Sequence, residues 1–213
     1  MAVPAALSQP HMLQAVEELC SRDPDLAGVV TLHGPPPMWA RPPGFATLVR
    51  IVLEQQVSLS SANAAFRRLR IGAGRMSAAR VSRLSLAQIR RLGITRQKAK
   101  FIRDIGCAAT AGELRLGGLA SADDTTVRDA LLQIRGIGPW TADIYLIMAL
   151  RRPDVWPDGD LALVKSLKHV KRLRSVPGPD AVRRITARWA PWRAVAARIL
   201  WHSYLAERRL GRC

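Results

Sequence analysis

Two short stretches of the chain hold residues whose types and spacing could do chemistry. The first runs from Leu131 to Ala142 and reads LLQIRGIGPWTA. Gly136 and Gly138 flank one apolar residue, and Pro139 follows where a helix would begin. Two such glycines permit a tight turn between helices, through backbone angles closed to other residues, and they present no side chain. The N–H groups of Gly138, Trp140 and Thr141 would then point out of a helix N-terminus. Unsatisfied donors and the helix dipole hold a phosphate at such a place. Taken alone, Gly-x-Gly also fits an ordinary helix–helix turn. The second stretch is Pro157-Asp158-Gly159-Asp160-Leu161-Ala162-Leu163, beginning eighteen residues after Pro139. A helix N-terminus beside Asp160 favours the ionised carboxylate. Such a group could steady a developing positive charge, or orient and deprotonate a water. It could equally do no more than cap the helix. Asp158 is the rival carboxylate.

The elements that must position these residues read as helical throughout. Helices are expected over His11 to Cys20, from about Phe45 through Leu53, and over Ala62 to Arg70 with Ser60-Ser61 as cap. Ser85 should cap a helix stopped by Gly93, and Thr95 one running from Gln97 to Ala111. Gly117-Gly118 marks a loop. Ser121 and Asp124 have capping-box spacing ahead of a helix from Val127 to Ile134. The helix from Pro139 to Leu150 carries Asp143 as its only charge and must be buried on most sides. Later helices are expected over Leu161 to Arg174, Asp180 to Trp189 and Trp192 to Glu207. No stretch alternates with period two, so the fold class is all-α.

Charge narrows the partner. The 213 residues carry 33 Lys and Arg against 16 Asp and Glu, a formal net charge of +17. No acidic residue lies between Glu54 and Asp104, a stretch holding twelve basic ones. Such one-sign runs repel themselves unless they meet a polyanion, and nucleic acid is the first candidate. No apolar run approaches the roughly 20 residues that span a bilayer, and no secretory signal opens the chain, so a soluble cytoplasmic protein is expected. Cys20, Cys107 and Cys213 are too scattered for a disulfide framework or an iron–sulfur cluster.

The hairpin and the downstream aspartate together closely resemble the helix-hairpin-helix, Gly/Pro-rich, aspartate superfamily of DNA glycosylases, and within it the bacterial 3-methyladenine DNA glycosylase II group. Ile51-Val52-Leu53-Glu54-Gln55-Gln56-Val57-Ser58 and Trp189-Ala190-Pro191-Trp192-Arg193, with Trp201 beyond, support the likeness. It covers residues 30 to 205. The resemblance implies two helical lobes with an active-site cleft between them. One is formed by residues 1–44 with 152–213, the other by residues 45–151 containing the hairpin 131–142. It implies a monofunctional enzyme that hydrolyses the N-glycosidic bond of N3- or N7-methylated purines in duplex DNA after flipping the nucleotide out. That is the first step of base excision repair, carried out as a monomer at the nucleoid.

By that resemblance Asp160 is the catalytic residue. Trp140 stands where bifunctional members place a Schiff-base lysine, so no strand cleavage is expected. Gln56, with Gln55 beside it, would fill the gap left by the flipped base. Trp140, Trp201, Ile144 and Trp39 would line the base pocket, the tryptophans attracting a cationic ring. Trp192 and Trp201, nine residues apart on one helix, should face opposite sides. His169 and His202 are read as structural. Backbone carbonyls of Leu132, Ile134 and Ile137 could bind a structural Na+ or K+, with no other cofactor. The alternatives are a glycosylase for a deaminated or mismatched base, and a hairpin protein that binds DNA without catalysis.

Overall fold

The computed structural model describes residues 5–209; Cys213 and the other terminal positions lie outside the described residues. Twelve α-helices and one 3₁₀ segment are present there, with no strand. No described helix is long and apolar enough to cross a membrane. Cys20 and Cys107 are free thiols. The chain divides into two compact units, one of Arg41–Leu150 and one of the described residues 5–40 and 151–209.

In chain order the helices begin with α1 (Gln9–Arg22) and α2 (Pro24–His33). The second is absent from the expectation above, which places no helix between Cys20 and Phe45. Asp23 is in fact an N-cap, its carboxylate accepting from the N–H groups of Asp25 and Leu26, with Pro24 at the first helical position. The first unit contains α3 (Phe45–Glu54), α4 (Leu59–Ala73), α5 (Ala78–Ser82), α6 (Leu86–Arg91) and α7 (Arg96–Ala111). It continues with the 3₁₀ segment (Leu116–Ser121), α8 (Asp124–Leu132) and α9 (Pro139–Met148). The second unit is completed by α10 (Leu161–Val170), α11 (Pro179–Ala187) and α12 (Arg193–Arg209).

Several starts differ from the sequence reading by a few residues, each for a local reason. Helix α4 is capped by Ser58, whose hydroxyl accepts from the Ser61 N–H, instead of by Ser60-Ser61. Helix α8 is capped by Asp123, which accepts from Thr125 and Thr126, while Ser121 ends the 3₁₀ segment that replaces the expected Gly117-Gly118 loop. Helix α10 stops at Val170, short of Arg174. Trp192 precedes α12, so it does not share a helix with Trp201, and the opposite-faces argument does not apply. Ser85 and Thr95 cap α6 and α7, the former in a complete capping box with Gln88.

The first unit is built around α9, whose residues Thr141 to Met148 are all buried. Helix α9 packs on α8 and α3, and α3 packs on α7. Arg128 of α8 and Asp143 of α9 form an ion pair at 2.7 Å. It pairs the one charge that α9 carries into the interior, where an unpaired carboxylate would be costly. The core of the second unit is α12, packed on α10, α2 and α1. It carries Arg198 at 0% exposure, donating to the carbonyl oxygens of Met38 and Ala194. Burial pulls that guanidinium down to about 10.

Candidate functional site

The hairpin joins α8 to α9. Its turn is closed by the Ile137 N–H donating to the Ile134 carbonyl at 3.1 Å, and α9 opens with Ala142 donating to Gly138 at the same distance. The two glycines differ in kind. Gly136 has φ of +93°, and a Cβ there would lie 2.2 Å from Cγ of Phe101 on α7. It must be glycine for conformation and for space. Gly138 has φ of −98° and ψ of 176°, which any residue adopts, and a Cβ there would meet nothing within 4 Å. The expectation that both glycines serve the turn geometry is therefore corrected: only Gly136 does. Gly138 is the N-cap of α9 and gives the helix no side-chain cap, leaving the helix start open to an approaching group.

Gln55 is turned toward this hairpin. Its Nε2 donates to the Gly136 carbonyl at 3.1 Å and to Thr141 Oγ1 at 2.8 Å. Both donor hydrogens of the amide are thus spent inside the protein. The Thr141 side chain is buried, so only its backbone N–H could face a ligand. Gln56 is exposed and held at φ of +54°, a strained setting for a residue with a Cβ. Val57 and Leu59 beside it are also exposed. The turn therefore separates the two glutamines: one braces the hairpin, the other projects.

Residues the sequence reading passed over fix that turn. Lys98, in the first turn of α7, donates from Nζ to the carbonyls of Leu53 at 2.7 Å and Gln55 at 2.6 Å. It satisfies the open C-terminal end of α3, and burial pulls its ammonium below the usual lysine range. Arg41 grips Glu54 with two bonds of 2.8 and 2.9 Å. The Gly44 N–H donates to the Tyr145 hydroxyl at 2.8 Å, while burial raises that phenol's pKa. Lys98 was visible only as one of a dozen cations, and nothing in the sequence distinguishes it. Ile144 is buried on α9, and Trp140 is half-buried at its start.

In the second unit Asp160 is the N-cap of α10. Its Oδ1 accepts from the Leu163 N–H at 2.9 Å, and the residue is 8% exposed. Asp158 is exposed. Of the two carboxylates, Asp160 is the one in a low-dielectric setting next to a helix N-terminus, where charge interactions are strengthened. Leu161 beside it is 76% exposed.

The six tryptophans sort by their partners. Trp189 is in the core and donates to Asp23 at 2.7 Å, and Trp156 packs on it at 5.9 Å between ring centroids. Trp192 donates to Glu18 at 2.7 Å. Those three are structural. Trp201 is buried on α12. Trp39 is half-buried, with φ of +49°, its ring 6.3 Å from that of His202. His202 Nε2 is 2.9 Å from the His33 carbonyl, and His169 Nε2 is 3.0 Å from Glu207. Both histidines thus have structural partners.

Comparison with known proteins follows the same residues. The family model described as HhH-GPD superfamily base excision DNA repair protein matches residues 49–191. The chain is 31% identical over 122 residues to a DNA-3-methyladenine glycosylase of Bacillus subtilis, covering 57% of this chain and 40% of that protein. It is 28% identical over 161 residues to DNA-3-methyladenine glycosylase 1 of Schizosaccharomyces pombe, covering 74% and 71%. Its fold is similar to that of the Schizosaccharomyces pombe 3-methyladenine DNA glycosylase solved in complex with abasic DNA. There the TM-score is 0.81 at 25% identity, covering 92% of this chain and 97% of that one. The chain spans less than half the length of the Bacillus subtilis relatives it matches.

Proposed function

Since the chain belongs to the HhH-GPD superfamily of base excision DNA repair proteins, we propose that it is a monofunctional DNA glycosylase that removes N3- or N7-methylated purines from duplex DNA. The observation that carries this reading is the buried carboxylate of Asp160 at the head of α10. Rupture of the C1′–N bond sends the bonding electrons to the base and leaves positive charge on the deoxyribose ring. A fixed carboxylate in a water-poor setting stabilises that charge far better than bulk water does. The same group orients the water that adds to C1′ and accepts its proton. A methylated purine is already cationic and leaves as a neutral base, so no strong general acid is required.

The other residues take supporting roles in this reading. The backbone N–H groups at the start of α9 hold a phosphate, and Gly138 lets it come close. Gln56 occupies the space vacated by the flipped nucleotide, while Gln55 braces the hairpin instead of touching DNA. Trp140, with Ile144, in the first unit and Trp201, with Trp39, in the second are the candidates for receiving the cationic ring. No amine stands at position 140, so the product is an abasic site and the strand is left intact. The carbonyls of Leu132, Ile134 and Ile137 are uncharged oxygen donors suited to Na+ or K+. Ile134 already accepts one bond from Ile137, and a carbonyl oxygen has a second lone pair to offer. A cation held there would add positive charge near the phosphate. The enzyme would act as a monomer at the nucleoid.

The test is release of free bases from methylated duplex DNA by the wild type and by Asp160→Asn. The amide still caps α10, so the variant should keep its Tm within about 2 °C and bind DNA as before. Base release should fall roughly 10²–10⁴-fold. Release of uracil or hypoxanthine in place of methylpurines would overturn the substrate. Normal DNA binding with no base released by the wild type would make the chain a non-catalytic hairpin protein. Borohydride trapping of a covalent adduct would refute the monofunctional reading.

A further inference from the structure

The first unit has a second concentration of positive charge that the hairpin does not use. A depression of about 550 Å³ lies between the end of α6 and the start of α7, lined by Arg90, Arg91 and Arg96 around Gly93 and Ile94. Arg68 of α4 lies over the same spot, donating from Nε to the Leu92 carbonyl with its guanidinium against Gly93. Arg90, Arg91 and Arg96 are exposed, and none of them joins an ion pair among the described residues. No carboxylate is available locally: the sequence has none from Gln55 to Arg103, and Glu54 is engaged by Arg41 and Arg50. Three guanidinium-bearing residues line one concavity, with Arg68 beside it at Gly93, and such like charges repel one another unless an anion neutralises them.

Its place in the fold indicates which anion. Lys98, two residues past Arg96 at the start of α7, is the residue that grips the Leu53 and Gln55 carbonyls. The N-terminal end of α7 therefore carries both a wall of the depression and the brace of the Gln55–Gln56 turn. We propose that Arg90, Arg91 and Arg96 form a second DNA-backbone contact that holds phosphates flanking the turn, through residues separate from the hairpin. It rests on the DNA-directed reading above. Guanidinium groups match phosphate oxygens in bidentate geometry and carry no preference for base sequence. This contact adds affinity and register and leaves lesion choice to other residues.

The experiment compares the wild type with Arg90→Gln/Arg91→Gln/Arg96→Gln for binding to an undamaged duplex between about 50 and 200 mM salt, where each phosphate contact contributes roughly 0.9 to the slope of log affinity against log salt. The slope should fall by about two to three, and low-salt affinity at least tenfold. Single-turnover base release at saturating protein should be unchanged. The single variants Arg91→Gln and Arg96→Gln should each lower the slope by about 0.9, which keeps the proposal testable if the triple variant folds poorly. An unchanged slope overturns it, even if binding to a single-stranded RNA weakens. A wild type that releases no methylpurine while the triple variant loses slope would sink the glycosylase reading and leave this contact standing. An active wild type with an unchanged slope would do the reverse.

Discussion

The two hairpin glycines invite a paired perturbation whose outcomes differ in kind. In Gly136→Ala the new methyl would sit 2.2, 2.5 and 2.6 Å from Cγ, Cδ1 and Cβ of Phe101. Rotating the phenyl ring cannot relieve the last contact, because Cβ moves only with the α7 backbone. The hairpin and α7 would have to separate by more than an ångström to reach the ~3.5–4.0 Å of carbon contact. Overpacking of this kind costs about 1–3 kcal/mol, and a non-glycine residue at φ of +93° about 1–3 more. A total near 4 kcal/mol lowers Tm by about 8–16 °C for a chain of this size. Gly138→Ala has an ordinary φ of −98° and open space around the new Cβ. Its Tm should fall by no more than a few degrees, since alanine is a poorer N-cap than glycine but narrows the unfolded ensemble. Yet the methyl stands where a phosphate would approach. Loss of one charge-assisted hydrogen bond, about 1.5–3 kcal/mol, would weaken DNA binding about tenfold to a hundredfold. Calorimetric melting and fluorescence anisotropy on both variants decide the matter. Equal Tm losses, or wild-type DNA affinity in Gly138→Ala, would refute the division of labour between the glycines.

Other consequences concern the turn and the second unit. Gln55→Leu removes the donors to Gly136 and Thr141. It should cost about 1–3 kcal/mol, read as a lower Tm together with slower base release. Gln56→Gly relieves the left-handed backbone at φ of +54°, so Tm should hold or rise by a few degrees, while single-turnover base release slows. The Asp23 carboxyl is raised by burial, but bonds from Lys171, Trp189 and the Leu26 N–H outweigh this and hold it below its ordinary 3.8. A depressed acid stabilises the fold above its unfolded pKa, and that stability is lost as pH falls through the folded value. Asp23→Asn should therefore melt lower than the wild type at pH 7. The gap should close as pH drops below the unfolded value of 3.8. A gap independent of pH would show that the ion pair is not its source.

What the sequence determined by itself was largely local. Helix starts at Ser85, Thr95 and Pro139, and the cap at Asp160, follow from contacts spanning three or four residues, which backbone geometry enforces wherever the segment sits. The ambiguous starts were those with competing caps a residue or two apart, as at Ser58 against Ser60-Ser61. The excess of arginine is likewise a property of composition. Tertiary structure decided which polar groups are already engaged. Gln55 reaches residues 81 and 86 positions away, and Lys98 reaches carbonyls 43 and 45 positions away. Trp189 and Trp192 find carboxylates more than 160 positions away. Gly136 needs its missing side chain because Phe101 packs against it, whereas Gly138 has open space there. No periodicity encodes these pairings. They depend on how helices pack, and that packing leaves Gln56 and the α6–α7 arginines exposed at the surface and Gly138 half-buried.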